Sequence, residues 1–225
     1  RCDMPNRSSS SLPWLLIIAV LAMVLLPAST AAADQPTQTT PAPGFRPDQF
    51  CVPGFADSLD SATVAVLPTI VRRVERTAHS FASQQQIVAF LAEMGTDARK
   101  KPRRVDLGPI RRHSQWDMFQ YGARTVSESL ESYDTGTDYT LVMEILVPDA
   151  QAVFGIEIYI VDQAGEHALS FLLNSHHKMF AEAKLVARGS SEEARAAMIE
   201  KATAVGLAAL EKQLRQLREG GDCRA

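Results

Sequence analysis

Three strand-like segments arrive in succession between residues 138 and 173, and they constrain the fold more than anything else in the chain. They are Asp138–Val147, Ala152–Val161 and His167–Leu173, the last extending toward Phe180. β-Branched and aromatic residues dominate them, as a pleated, half-buried surface requires. The connections Pro148–Gln151 and Asp162–Glu166 are too short for a crossover helix, so the segments should form an antiparallel meander. In the middle segment Phe154, Ile156, Ile158 and Ile160 alternate onto one face, which must be buried. The other face carries Glu157 and Tyr159 and is expected to be half covered.

Ahead of the meander, strand and helix signals alternate. Thr63–Val71 reads as a first strand, with Pro68 confined to a bulge, an edge or an end because it cannot donate to a ladder. A helix capped by Ser80 follows, with Ile87, Leu91 and Met94 as its apolar stripe, Phe90 beside them and Gly95 as its stop. Thr96–Ile110 is charged and interrupted by Pro102 and Pro109, leaving room for at most a short strand at Arg103–Leu107. Trp116, Phe119, Ala123, Val126 and Leu130 are spaced for a second helix, with Ser114 and Asp117 as a capping pair. The chain closes with a long helix between a Ser190/Glu193 capping box and the Gly220–Gly221 stop. Its stripe of Ile199, Thr203, Gly206, Leu210, Leu214 and Leu217 must lie on the sheet or on a partner. Segregated strands after an initial crossover predict an α+β fold, a mixed sheet with a C-terminal antiparallel meander covered by two or three helices. One domain is expected over 61–218, followed by a tail at 219–225.

The first 33 residues address the compartment. Arg1 and Arg7 precede an apolar run from Leu12 to Leu26, and the small residues Ala28–Ala33 follow it. That order predicts a secretory signal peptide, cleaved after Ala33 or Ala31. A retained anchor is the competing reading, but 15 helical residues reach only about 22 Å against a hydrocarbon core of roughly 30 Å. Residues 34–60, rich in Pro and Thr at their start, then read as a spacer and N-terminal tail. Removal of residues 1–33 takes away Arg1, Arg7 and Asp3, which moves the formal charge from −3 to −4. An acidic exported protein is a poor nucleic-acid ligand. Cys2 leaves with the leader, so Cys51 and Cys223 remain. In an oxidising compartment they can pair across the body, or stay as two unpaired or intermolecular thiols.

The stretches Val64–Pro68, Asp138–Ile145 and the Val161–Gly165 hairpin resemble envelope domains of the TolB amino-terminal, curli-secretion and peptidoglycan-synthase-activator group. The resemblance covers residues 61–218 and implies a non-enzymatic envelope domain that binds partner proteins. That group often carries a lipid anchor, whereas no cysteine directly follows the apolar run here.

Signals for chemistry are sparse. There is no HExxH spacing, no tight Cys/His ligand set, no GxSxG elbow and no glycine-rich phosphate loop. His176 and His177 point to opposite faces of an extended chain and cannot grip one metal together, although either can meet Glu144 or Glu157 on neighbouring strands. Ser170 lies within a strand. A catalytic carboxylate pair cannot be assembled without strand register. No catalytic residue, metal site or cofactor is therefore assigned. The densest charge feature is Arg99, Lys100, Lys101, Arg103 and Arg104, reinforced by Arg111 and Arg112. It suits an anionic envelope polymer or an acidic protein surface. The expectation is a periplasmic or secreted interaction domain without catalysis. The alternatives are a small secreted hydrolase with a carboxylate or histidine site, and helix-mediated assembly through Ile199–Leu217.

Overall fold

The computed structural model describes residues 49–110, 114–149 and 151–220; the leader, most of the spacer, Arg111, Arg112, His113 and Cys223 lie outside them. The elements, in chain order, are β1 (Gln49–Cys51), α1 (Phe55–Ser58), β2 (Thr63–Val66), β3 (Thr69–Arg72), β4 (Thr77–Ser80) and α2 (Phe81–Glu93). β5 (Asp97–Lys100), α3 (Gln115–Glu131), β6 (Tyr139–Leu146), β7 (Gly155–Asp162), β8 (His167–Leu173), α4 (Lys178–Ala183) and α5 (Glu192–Arg218) follow. The strands form one mixed sheet in the order β1-β8-β7-β6-β2-β5, with β3 and β4 off that path. The fold is α+β, as the segregation of strands and helices requires.

β6 is the axis of the sheet. Along one edge it pairs antiparallel with β7 over its whole length, Tyr139 opposite Asp162 through Leu146 opposite Gly155. Its other edge is shared. Val64–Val66 of β2 lie parallel to its first half, and Ile70–Arg72 of β3 lie parallel to its second half. The break between them falls at Leu67 and Pro68, so the expected single strand is two. Beyond the break the sheet forks, with β5 beside β2 and β4 beside β3.

Two apolar layers cover the sheet. On one face Val64, Val66, Met143, Ile145, Ile156, Ile158, Leu169 and Phe171 pack with α1, α2 and α5. On the other, Leu67, Ile70, Val142, Tyr159 and Leu172 pack with α3. The stripe of α5 faces the sheet: a Cβ on Gly206 would stand 3.1 Å from both Ile156 and Met143 side-chain carbons. With Ile199, Thr203, Leu210 and Leu214 buried there, the stripe is used within the chain.

Several boundaries differ from the sequence reading, each for a local reason. The sheet already includes β1, which pairs with β8 from Gln49 to Cys51, so the body begins before Ser61. β5 occupies Asp97–Lys100 instead of Arg103–Leu107, because Pro102 ends the ladder and the chain meets β2 directly after the left-handed turn at Gly95. Val105 and Leu107 are still buried, against α3, without being a strand. The stretch toward Phe180 turns at Asn174 and becomes α4. α5 is capped by Ser191, whose Oγ accepts the Ala194 N–H at 3.1 Å, one residue later than the spacing suggested. Phe154 is 49% exposed. Its segment bridges to Val186 through Ala152 and joins the sheet only at Gly155. Ser80 and the Ser114/Asp117 box cap α2 and α3 as expected.

Candidate functional site

The expected half-covered face of β7 is sealed. Glu157 and Tyr159 have no exposed surface, and neither does Glu144, while Arg72 retains 2%. The reason is α3, which lies over them with Gly122 at the contact. A Cβ there would stand 2.3 Å from the Tyr159 hydroxyl and 3.3 Å from Glu144 Oε2. A glycine inside a helix costs about 1 kcal/mol of propensity, and here it provides the room for a buried hydroxyl and carboxyl.

Register brings these four residues together. Glu144 and Glu157 are directly opposite on β6 and β7, and Arg72 ends the strand on the other side of β6. Arg72 Nη1 donates to Glu144 Oε1 at 2.9 Å. The Tyr159 hydroxyl donates to Glu157 Oε2 at 2.5 Å. The two carboxyl groups are directly opposite in a site closed to solvent, where two carboxylates cannot both stay ionised. Glu144 Oε2 and Glu157 Oε1 are buried without a hydrogen-bond partner among the described residues, which leaves them as the oxygens a proton on the pair can occupy. Burial raises the Glu144 pKa too, but the Arg72 charge and hydrogen bond oppose that rise, so Glu144 is the member of the pair that holds the charge. Burial, then the Glu144 charge, raises the Glu157 pKa well above the usual carboxylate range. Burial and the neighbouring carboxyls likewise hold the Tyr159 hydroxyl protonated. The cluster is a neutral relay, Tyr159 to Glu157 to Glu144, closed by Arg72.

A second polar contact is built by a bulge. β8 pairs Leu169 with Ile160 and His167 with Val161, leaving Ala168 as the extra residue. That insertion puts His167 and Ser170 on the same, α3-facing side, which an unbroken strand would not do. His167 Nε2 meets the Ala123 carbonyl at 3.0 Å and so carries the proton, leaving Nδ1 to accept the Ser170 hydroxyl at 2.7 Å. Phe50, Trp116 and Phe119 border the same groove of about 310 Å3. The imidazole is oriented by a carbonyl and not by a carboxylate, and burial lowers its pKa. The pair ties β8 to α3 as a hydrogen-bond lock.

The other residues singled out in the sequence are dispersed. His177 precedes α4, and its ring and main chain bond to Asn174, whose side chain also holds the His176 N–H. Neither histidine joins the Glu144–Glu157 pair. His79 bonds the Val105 carbonyl. Among the described residues no three His, Cys, Asp or Glu side chains gather where a metal could be held, and no helix is long and apolar enough to cross a membrane.

The basic run is spread along the sheet edge. Arg99 and Lys100 are on the edge strand β5, bonded to Asp97 and Gln85. Arg103 lies over the Tyr133 ring and donates to Ser129 O, and Arg104 lies over Phe81. Lys101 donates its main-chain N–H to Val66. Stacking leaves a guanidinium's edges open to a further anion. Cys51 is buried and disulfide-bonded.

No known protein-family model matches the chain, and no curated protein matches it. Among solved structures, the lipoprotein GNA1162 from Neisseria meningitidis is 14% identical, matching 65% of this chain and 96% of that one with a TM-score of 0.28.

Proposed function

We propose that this chain is an exported, non-catalytic interaction domain that binds an acidic envelope partner, protein or polymer. One contrast supports the reading: the carboxyl, phenol and guanidinium groups that converge are sealed under α3, whereas Arg99, Lys100, Arg103 and Arg104 stand at the surface. Groups that never meet solvent hold strands in register. Exposed cations on an edge strand keep that edge from pairing with another sheet and attract negative charge. For the hydrolase alternative, the carboxylates have no access to solvent, and the His167–Ser170 pair, which borders a groove, has a carbonyl and not a carboxylate behind its imidazole. The bond on Cys51 fits an oxidising compartment, as does the leader pattern.

Capture from a native envelope fraction tests the contact. The wild-type protein should retain a partner that is released as salt rises. A variant with Arg99, Lys100, Lys101, Arg103 and Arg104 all changed to Gln should lose it while keeping its unfolding midpoint. Equal capture by that variant rejects the basic run as the contact.

The compartment has its own test. Arg218, the last residue of α5, binds Asp60 just after α1, and five more residues lead to Cys223, a reach of up to about 17 Å. Non-reducing peptide mapping of the exported protein should give a Cys51–Cys223 linked pair. Two free thiols, or Cys51 linked elsewhere, would remove this support for export.

A further inference from the structure

A cleft of about 310 Å3 lies where the β3–β4 hairpin meets α5. Arg73 and Arg76 come from the hairpin, on either side of the Val74–Glu75 turn, where the Arg73 N–H donates to the Arg76 carbonyl at 2.9 Å. Arg195 comes from the first turns of α5. Among the described residues no carboxylate forms an ion pair with any of the three, although Glu192 and Glu200 also line the cleft. Arg195 spends one donor on the Ser190 carbonyl at 2.7 Å. Arg73 Nε is buried with no hydrogen-bond partner. Burial, then the charges of Arg76 and Arg195, disfavour the charged form of Arg73, so the three cations repel one another across the gap.

Two helices start at the same place. α2 borders the cleft through Ser80 and Ala82, and α5 through Glu192 and Arg195. Each helix directs the positive end of its dipole there, but Glu192 and Glu193 in the first turn of α5 offset that helix's end. The first turn of α2 holds no acidic residue to offset it. An unpartnered buried donor, the repulsion on Arg73 and the open dipole end of α2 are all relieved by the same thing, an anion.

We propose that this cleft binds a phosphate group, held by Arg73, Arg76 and Arg195 at the adjoining starts of α2 and α5. Each guanidinium offers a planar fork of donors, and a tetrahedral dianion can accept from three forks, whereas a carboxylate is filled by one or two. The two glutamates weaken the pull on any anion, so selectivity for phosphate over a halide rests on the number of donors the three guanidinium forks offer. The phosphate can be free or carried on a lipid headgroup.

Calorimetric titration of the whole exported protein with inorganic phosphate, at constant ionic strength and with acetate as competitor, tests the site. Saturable phosphate binding is expected, with acetate at least about tenfold weaker. Arg76→Gln and Arg195→Gln should each weaken phosphate by about tenfold or more, as loss of one charge-assisted bond does. Glu200→Gln should strengthen it, and Arg99→Gln should leave it unchanged, which separates this site from the basic run. Cosedimentation with phosphatidylglycerol vesicles, against phosphatidylcholine alone, assigns the source. Arg195-dependent pelleting identifies a headgroup, and phosphate binding without pelleting identifies a free ion. Absence of both overturns the proposal. So does phosphate binding that persists in a folded triple variant, R73Q/R76Q/R195Q.

Discussion

Replacing Arg72 with Met is expected to cost about 3–5 kcal/mol of stability, the range for stranding one partner of a buried ion pair. Arg72 is 2% exposed and, among the described residues, its only acidic hydrogen-bond partner is Glu144, which is not exposed at all. Met fills much of the same volume, so packing changes little. What changes is that Glu144 loses the donor on Oε1 and the positive charge that holds it ionised. The carboxyl must then take up a proton or stay charged in an apolar layer, and both are unfavourable at neutral pH. Urea unfolding at pH 7 measures the effect as a lower midpoint with an unchanged slope. Adding Glu144→Gln to Arg72→Met should recover a large part of the loss, because no buried charge then remains. A loss below about 1 kcal/mol for Arg72→Met would mean that Glu144 is not held as a charge by Arg72, and the relay would have to be redrawn. By contrast, Arg99→Gln on the solvent-exposed pair with Asp97 should leave the midpoint where it was.

This cluster also marks where sequence reading stopped. The alternation Ile156–Glu157–Ile158–Tyr159–Ile160 located β7 and its apolar face without difficulty, because period-two patterning is local information. It could not show that Glu157 sits opposite Glu144. That depends on how many residues the β6–β7 connection uses, and here the ladder closes at Leu146 and Gly155, leaving a longer connection than the one expected. One clue was available. Gly122 interrupts a good helix between Tyr121 and Ala123, and a glycine kept at that cost marks a close approach. Bulges are harder still: nothing in His167–Ala168–Leu169–Ser170 announces that Ala168 is the extra residue that turns His167 and Ser170 to one side.

The cationic features separate in the same way. The run from Arg99 to Arg104 is conspicuous because its charges are adjacent in the chain, yet in the fold they extend along an edge and several are engaged with Asp97, Gln85, Tyr133 and Phe81. Arg73, Arg76 and Arg195 attract no notice in the sequence. Two flank a turn, and the third is more than a hundred residues away. Only the parallel placement of β3 on β6 and the seating of α5 over the sheet bring them to one cleft. Charge density along a chain and charge density in space are different quantities, and the second is the one an anion responds to.

Stability should fall as pH rises above the ordinary glutamate range, by at most about 1.4 kcal/mol for each pH unit while Glu157 keeps its proton in the fold, and Glu157→Gln should remove that slope. In the unfolded chain Glu157 titrates near the ordinary value of about 4.3. In the folded protein burial and the Glu144 charge raise its pKa well above that. Between the two values folding takes up a proton, so the native state binds more protons than the unfolded state and stability decreases as pH rises. The contribution is fully present below the unfolded pKa and is lost as pH climbs through the folded one. A glutamine at 157 can accept from Tyr159 and direct an N–H toward Glu144, as the protonated acid would, with no proton to lose. The variant should therefore match the wild type near pH 5 and exceed it increasingly as pH rises, until Glu157 ionises in the fold. His167 acts oppositely. Burial lowers its pKa, so unfolding takes up a proton below about 6.5 and stability falls on the acid side. Comparing the two proteins at each pH cancels that effect, and Glu157 is isolated most cleanly above pH 7. Parallel stability curves from pH 7 to 9 would mean that Glu157 is ionised in the native protein and that the two carboxyls share no proton.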